Sequence, residues 1–109
     1  MKPQLSIVIP VYNEEKNLDA LFDRLTATLD KLNKTYEIIF TNDGSQDNSY
    51  KVLEKFHKLH PEKVRVIDFA RNFGQHMAVM AGFELSQGNT VVTLDSDLQN
   101  PPEEISKLL

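Results

Sequence analysis

The sequence predicts an α/β domain in which a parallel sheet carries helices on both faces, an α/β/α sandwich. Three observations lead there. Apolar runs of strand length recur four times, stretches with apolar residues at helical spacing separate them, and the polar, glycine-bearing segments fall where the strands would end. Strands that alternate with helices of this length make right-handed βαβ units, whose strands are parallel.

Leu5 to Val11 is an almost unbroken apolar run, as expected of a strand covered on both faces. A helix is predicted from Glu14 to Leu32, because Leu18, Leu21, Phe22, Leu25, Leu29 and Leu32 draw a single stripe along it. Tyr36 to Thr41 is the second strand, and Asn42-Asp43-Gly44-Ser45 a turn. The next helix, Asp47 to Leu59, turns Val52, Leu53, Phe56 and Leu59 inward and stops at His60-Pro61. Val64 to Phe69 is the third strand. After the loop Ala70 to Gly74 comes a helix over Gln75 to Leu85, with Met77, Ala78, Ala81 and Leu85 expected on its inner face. Gly88-Asn89 turns the chain into the fourth strand, Thr90 to Leu94, and Pro101-Pro102-Glu103-Glu104 opens a last helix.

Composition narrows the partners. At 109 residues the chain is one domain, long enough to bury a core. A net charge of −4 gives no basic footprint for nucleic acid. The lack of cysteine excludes disulfides, thiolate metal sites and a cysteine nucleophile, and fits a reducing compartment. The first apolar run is seven residues long and broken by Ser6 and Pro10, too short to span a membrane and without a signal-peptide layout. Gly44, Gly74, Gly82 and Gly88 form neither G-x-G-x-x-G nor a Lys-bearing phosphate loop, and no G-x-S-x-G elbow is present. A nucleotide would have to be held in another way.

Four polar motifs lie at the carboxyl ends of the predicted strands, where open α/β sheets bind ligands. In Asp95-Ser96-Asp97-Leu98-Gln99 two carboxylates stand two residues apart, so both leave an extended backbone on the same side. With the Gln99 carbonyl they suit a hard divalent cation, Mg²⁺ or Mn²⁺, which in turn would hold phosphate. Solvated, helix-capping carboxylates are the alternative. Pro10-Val11-Tyr12-Asn13-Glu14 supplies a proline, an aromatic ring and a carboxylate for a base pocket, or else a plain helix start capped by Asn13. In Asn42-Asp43-Gly44-Ser45 the glycine admits positive φ, and Asp43 offers its carboxylate either to a nucleobase N–H or to its own turn. Arg71-Asn72-Phe73-Gly74-Gln75-His76 sets a guanidinium and backbone amides where an anion could meet a helix start, although Arg71 serves equally as a surface ion pair. His76 lacks a second histidine at a metal-binding interval, and His57 and His60 read as solvated.

Taken together and in order, Val8-Ile9-Pro10-Val11-Tyr12-Asn13-Glu14, Asn42-Asp43-Gly44-Ser45, Arg71-Asn72-Phe73-Gly74 and Asp95-Ser96-Asp97-Leu98-Gln99 resemble the family 2 glycosyltransferases with the GT-A fold. The resemblance covers nearly the whole chain. Within the family it is similar to transferases that load a sugar from a nucleotide donor onto a polyprenyl phosphate, dolichol-phosphate mannose synthases among them. Gly74-Gln75-His76, Met80-Ala81-Gly82-Phe83 and Leu98-Gln99-Asn100-Pro101-Pro102-Glu103-Glu104-Ile105 look closest to the undecaprenyl-phosphate 4-deoxy-4-formamido-L-arabinose transferases.

The resemblance implies that residues 1–109 are the N-terminal, nucleotide-sugar-binding half of a GT-A fold. Pro10, Tyr12 and Glu14 match positions lining the nucleoside pocket, Asp43 the carboxylate that hydrogen-bonds the base, and Asp95 with Ser96 the approach to ribose and diphosphate. Asp95, Asp97 and Gln99 match the metal positions. One departure is Asn42, which stands where the family has an Asp before Asp-Gly-Ser. Asn keeps an acceptor oxygen and tolerates turn geometry but lacks the charge, so aspartate restored at residue 42 is expected to be tolerated.

The implied reaction is a metal-dependent, inverting transfer from a nucleotide-diphosphate sugar to undecaprenyl or dolichyl phosphate, at the cytoplasmic face of a membrane. No residue of the chain matches a catalytic base. A nucleotide-sugar-binding module without catalysis would use the same loops, and a phosphoryl-transfer domain also places aspartates at strand ends. The sequence stops inside the helix opened by Pro101-Pro102, so it reads as a truncated domain with the fourth strand left as a sheet edge. Open edges and uncovered apolar faces invite pairing. The 109-residue chain is therefore expected to form a homodimer or exchange elements between copies, and a strictly monomeric mass by light scattering would refute this.

Overall fold

Alternation along the strands decides which side chains meet which helix, and the computed structural model, which describes residues 2–97 and 101–108, shows the outcome. The elements are β1 (Leu5–Val11), α1 (Glu15–Lys31), β2 (Tyr36–Asn42), α2 (Ser49–Leu59), β3 (Val64–Asp68), α3 (Gln75–Leu85) and β4 (Thr90–Thr93). A 3-10 turn (Pro102–Glu104) and a short helix, α4 (Ile105–Leu108), follow. Up to β4, each predicted element is present with its ends shifted by two residues at most.

All strand pairs are parallel, in the order β3-β2-β1-β4. β1 is central and uneven in its pairing. On one side it pairs with β2 along its length, from Leu5 opposite Tyr36 to Val11 opposite Asn42; on the other it pairs with β4 only from Leu5 to Val8. The Leu94 N–H still donates to the Val8 carbonyl at 3.0 Å. Beyond that bond the chain leaves the sheet, and the carboxyl end of β1 is open on its β4 side. The strand order reverses at this point, the place where ligands bind in sheets of this kind.

Leu5, Ile7, Ile9 and Val11 of β1 and Tyr36, Ile38 and Phe40 of β2 face one core, with Leu18, Leu21, Phe22, Leu25 and Leu29 of α1 and Leu53 and Phe56 of α2. Phe22 stacks on Phe56 with ring centroids 4.1 Å apart and planes 9° apart, which locks α1 to α2. The opposite face of the sheet belongs to α3. There the Thr41 hydroxyl donates to the Ala78 carbonyl at 2.9 Å, and Gly82 lies against Val8.

Two expectations about side-chain direction are corrected. Leu59 is 65% exposed, because α2 has already turned past the sheet at its last residue. Met77 is 52% exposed: α3 approaches the sheet through the small residues Ala78 and Gly82, which rotates Met77, Met80 and Phe83 outward. His57 and His60 are exposed as expected, yet each has a neighbour: His57 Nδ1 lies 2.7 Å from the Val64 carbonyl, and the His60 ring is 5.6 Å from that of Phe22. Among the described residues no helix is long and apolar enough to cross a membrane.

At the amino ends of the strands the buried Glu37 carboxylate joins three segments. It accepts from the Ser6 hydroxyl at 2.6 Å, the Gln87 amide at 2.7 Å and Arg65 Nη1 at 3.2 Å, while Arg65 also reaches the Leu85 carbonyl. This anchors the α3–β4 connection under β1 and starts β4 in register.

At the carboxyl ends, Asn42 Nδ2 donates to Asp68 Oδ1 at 2.9 Å, tying the end of β2 to that of β3, and Asn42 itself is 3% exposed. The bond attaches a stability cost to the aspartate that the resemblance leads one to expect is tolerated in binding. An aspartate at 42 would replace a donor with a second carboxylate beside Asp68. Asn42→Asp should cost about 1–3 kcal/mol of stability at neutral pH. Because mutual repulsion raises the pKa of such a pair in the folded state, the cost should shrink as the pH falls towards about 4. Denaturant titrations of both proteins at the two pH values check this, and an equal deficit at both would refute the charge argument.

Candidate functional site

Loops that follow strands carry few local constraints, so their geometry depends on what they touch. Here each loop holds the next. Asn13 adopts φ +54°, a left-handed conformation that asparagine tolerates, and its Oδ1 accepts from the Gln46 N–H at 2.8 Å. In return the Asn13 N–H donates to Ser45 Oγ at 3.0 Å, the Glu14 N–H to Ser49 Oγ at 2.9 Å and the Glu15 N–H to Asp47 Oδ2 at 3.3 Å. The expected cap role of Asn13 is thus corrected. Glu14 is the residue at the N-cap of α1, and the first amides of that helix are capped from the second loop.

Asp47 also accepts from the Ser49 N–H at 2.9 Å. Burial pulls the pKa of its carboxyl upward, but hydrogen bonds from Ser49 and from backbone amides outweigh that and hold it below the ordinary carboxylate range. A depressed folded value stabilises the fold above the unfolded pKa. The clasp between the first two loops therefore holds at neutral pH and is released only in acid.

Asp43 joins the second loop to the third. Its carboxylate is buried, with the residue 3% exposed, and takes the Phe73 N–H on Oδ1 at 2.7 Å and the Gly74 N–H on Oδ2 at 3.1 Å. Asn72 Nδ2 donates to Oδ2 as well, at 3.1 Å. The amides that were expected to open α3 towards an external anion close on an anion of the chain itself. Arg71, considered for phosphate, lies with its Cζ 4.8 Å from the Phe73 ring centroid. Gly44 makes the contact feasible: its φ is +70°, and a Cβ there would lie 2.3 Å from the backbone of Arg71 and Asn72.

The third loop reaches the fourth through Gln75, the first residue of α3, whose Nε2 donates to Asp95 Oδ1 at 3.3 Å. Pro10, Tyr12, Glu14, Asp43, Asp95, Ser96 and Asp97 all line one cleft of about 390 Å³ at the carboxyl ends of β1 and β4. Gln99 lies outside the described residues. His76 is exposed and not part of the cleft wall. Gln75 lines the cleft too; it stands in the strings Arg71 to His76 and Gly74-Gln75-His76, but the sequence gives its side chain no role.

The cleft contains Pro10 as a buried floor, Tyr12 as a ring 45% exposed, and Glu14, whose Oε2 accepts from Asn17 Nδ2 at 2.7 Å. Asp95 and Asp97 add anionic oxygens. Among the described residues no three His, Cys, Asp or Glu side chains come together as a metal cage. The donor set nevertheless fits Mg²⁺ or Mn²⁺, ions that are held by one or two carboxylates with phosphate oxygens completing the shell. A second concavity, of about 720 Å³, lies at the amino ends of the strands, but two of its carboxylates, Glu37 and Asp30, are engaged within the chain. Glu37 is held as described, and Asp30 accepts from the Tyr36 hydroxyl at 2.9 Å. Burial, reinforced by Asp30, pushes that phenol up to about 12, which leaves it a donor and not an acid.

The family model of glycosyl transferase family 2 matches residues 6–109. The chain is 50% identical over 105 residues to the undecaprenyl-phosphate 4-deoxy-4-formamido-L-arabinose transferase of Aeromonas hydrophila, covering 96% of this chain and 32% of that protein. It is 45% identical over 106 residues to an uncharacterised glycosyltransferase of Bacillus subtilis, with 97% and 32% covered. The chain thus spans about a third of the length of the curated relatives it matches. Among solved structures it superposes on S. aureus TarS in complex with UDP-GlcNAc with a TM-score of 0.72 at 26% identity, covering 89% of this chain and 27% of that one. The mannosyltransferase of Pyrobaculum calidifontis in complex with GDP-Man and Mn²⁺ gives a TM-score of 0.75 at 18% identity, with 89% and 28% covered. These are GT-A glycosyltransferases, and the α/β/α sandwich is the N-terminal part of their fold.

The loop chain makes Asp43 a structural residue whatever it binds. Asp43→Ala removes a carboxylate that accepts three hydrogen bonds and strands the Phe73 and Gly74 amides in a partly buried place. It should lower stability by about 2–4 kcal/mol and raise hydrogen exchange at those two amides. Unchanged exchange at both would show that the loop is held by something else.

Proposed function

Because the chain belongs to glycosyl transferase family 2, we propose that residues 1–109 form the donor-binding part of an enzyme that transfers a sugar from a nucleoside diphosphate to a polyprenyl phosphate, undecaprenyl or dolichyl. One observation carries this reading. The nucleoside-side residues Pro10, Tyr12, Glu14 and Asp43 and the phosphate-side residues Asp95, Ser96 and Asp97 line a single cleft at the point where the strand order reverses.

The base lies against Tyr12 and gives an N–H to Asp43. An ionised carboxylate has about four acceptor sites. On Asp43 the chain fills one on Oδ1 and two on Oδ2, so Oδ1 keeps capacity for the base. Glu14 and Ser96 meet the ribose hydroxyls and the start of the diphosphate. Asp95 and Asp97, with Gln99, would hold Mg²⁺ or Mn²⁺. The ion, when bound, neutralises the charge that builds up on the departing diphosphate.

In the transfer, a phosphate oxygen of the acceptor bonds to the anomeric carbon from the face opposite the diphosphate. The bond from that carbon to the diphosphate oxygen breaks, and its electron pair leaves with the nucleoside diphosphate, which inverts the sugar configuration. A lipid phosphate is already ionised near neutral pH, so no side chain of residues 1–109 is needed to deprotonate it. The acceptor is met by residues outside the third of the relatives that this chain matches, and its lipid nature puts the reaction at a membrane, in this reading on the cytoplasmic face. The 109 residues by themselves bind donor without transferring it.

Calorimetry tests the donor site. Mn²⁺ should tighten UDP or GDP binding by roughly tenfold, and Asp97→Ala should remove that gain while leaving the metal-free affinity in place. Equal affinity with and without Mn²⁺ would sink the metal assignment. Tight binding with no transfer of radiolabelled sugar by a chain that includes the remaining two thirds would favour a sensing module over an enzyme.

A further inference from the structure

Gln75 is the side chain of the cleft that neither motif nor resemblance assigns, and its setting is unusual for an exposed residue. Its backbone is held on both sides. Upstream, the Phe73 and Gly74 amides are fixed by buried Asp43; downstream, the Ala78 N–H donates to the Gly74 carbonyl at 3.1 Å, and the Ala78 carbonyl is held by Thr41 on β2. Gly74, at φ +100°, swings the chain from the loop into α3, and Gln75 is the first residue after that swing. A long, exposed amide on so fixed a backbone reaches Asp95 across the cleft.

The bond from Gln75 Nε2 falls on Oδ1 of Asp95 and uses an acceptor site there. A carboxylate turns freely about its last torsion, which is broad and roughly two-fold, unless something holds one oxygen. A donor on Oδ1 does so. Removing a group that hydrogen-bonds a ligating residue from behind typically costs about 10–100-fold in metal affinity.

We propose that Gln75 is a positioning residue: it holds the Asp95 carboxylate in the orientation that receives the divalent ion, and it couples that orientation to Asp43 on the nucleoside side. This rests on the metal reading given above. The link Asp43, Phe73-Gly74, Gln75, Asp95 is continuous through hydrogen bonds and one turn of backbone. Amide and not carboxylate is the right chemistry at residue 75. A Glu would offer no donor and would set a third negative charge beside Asp95, whereas the neutral amide orients Asp95 without competing for the cation.

The test compares Gln75→Met, which keeps length and removes the donor, and Gln75→Ala with the unaltered 109-residue chain. Mn²⁺ binding is followed by the electron paramagnetic resonance signal of the free ion, alone and with UDP or GDP, and nucleotide binding without metal by calorimetry. Both variants should bind Mn²⁺ about tenfold more weakly in the presence of nucleotide. The thermal midpoint should stay near that of the parent chain, because the side chain is exposed, and metal-free nucleotide affinity should fall by clearly less than Mn²⁺ affinity. Wild-type Mn²⁺ affinity in Gln75→Met would overturn the proposal and leave the metal reading standing. Loss of metal-free nucleotide binding to the same extent as metal binding would also overturn it, pointing to a general loosening of the cleft. If the unaltered chain binds no Mn²⁺ even with nucleotide, the metal reading itself falls, and the role of Gln75 with it.

Discussion

The carboxylate of Asp43 is the interaction on which the site depends. It sits at the end of β2, buried, with its charge met by two backbone amides and a side-chain amide from a loop about thirty residues further along. A buried carboxylate without such donors would be costly, and three donors of this kind repay its desolvation. Because the donors come from the turn that launches α3, satisfying Asp43 also places that helix and the first residue on it. Gly44 is needed for the same contact, since any side chain there would collide with the backbone of Arg71 and Asn72. The Asp-Gly pair thus acts as a unit. The Asp supplies the charge and the Gly the room.

The cleft exists because the sheet is uneven. β1 extends past its pairing with β4, so its last three residues have no strand beside them on that side, and the chain turns away at Leu94 to line the cleft with Asp95 and Asp97. Strand register does this work. The buried Glu37 network at the other end of the sheet ties the segment before β4 to β1 and β2, and β4 then pairs with β1 from Leu5 opposite Thr90 to Val8 opposite Thr93.

The four loops are held in sequence order, and different chemistry secures each junction. Serine hydroxyls and Asp47 lace the first loop to the second, Asp43 binds the second to the third, and Gln75 reaches from the third to the fourth. The Asp43 junction is partly buried, the first junction is partly buried at Glu14 and Glu15 and exposed at Asn13, and the Gln75 junction is exposed.

The kind and order of the elements were legible in the sequence, because hydrophobic periodicity is local: a stripe such as Leu18, Leu21, Phe22, Leu25 and Leu29 has one helical reading, and an unbroken run such as Leu5 to Val11 has one place in a parallel sheet. That the polar motifs would gather at one end also followed, since parallel strands all finish on the same side. Local pattern could not reveal partners separated by twenty residues or more. That Asp43 is held by the third loop, that Asn13 holds the neighbouring loop and does not cap its own helix, and that Asn42 pairs with Asp68 were settled by tertiary contact alone. The facing of α3 was decided in the same way. Its composition is apolar on every side, so periodicity carried no phase, and the close approach allowed by Ala78 and Gly82 chose the inner face. Gln75 was hidden for the complementary reason: a lone glutamine carries no pattern, and it acquires meaning only when folding brings a carboxylate from twenty residues away within reach of its amide.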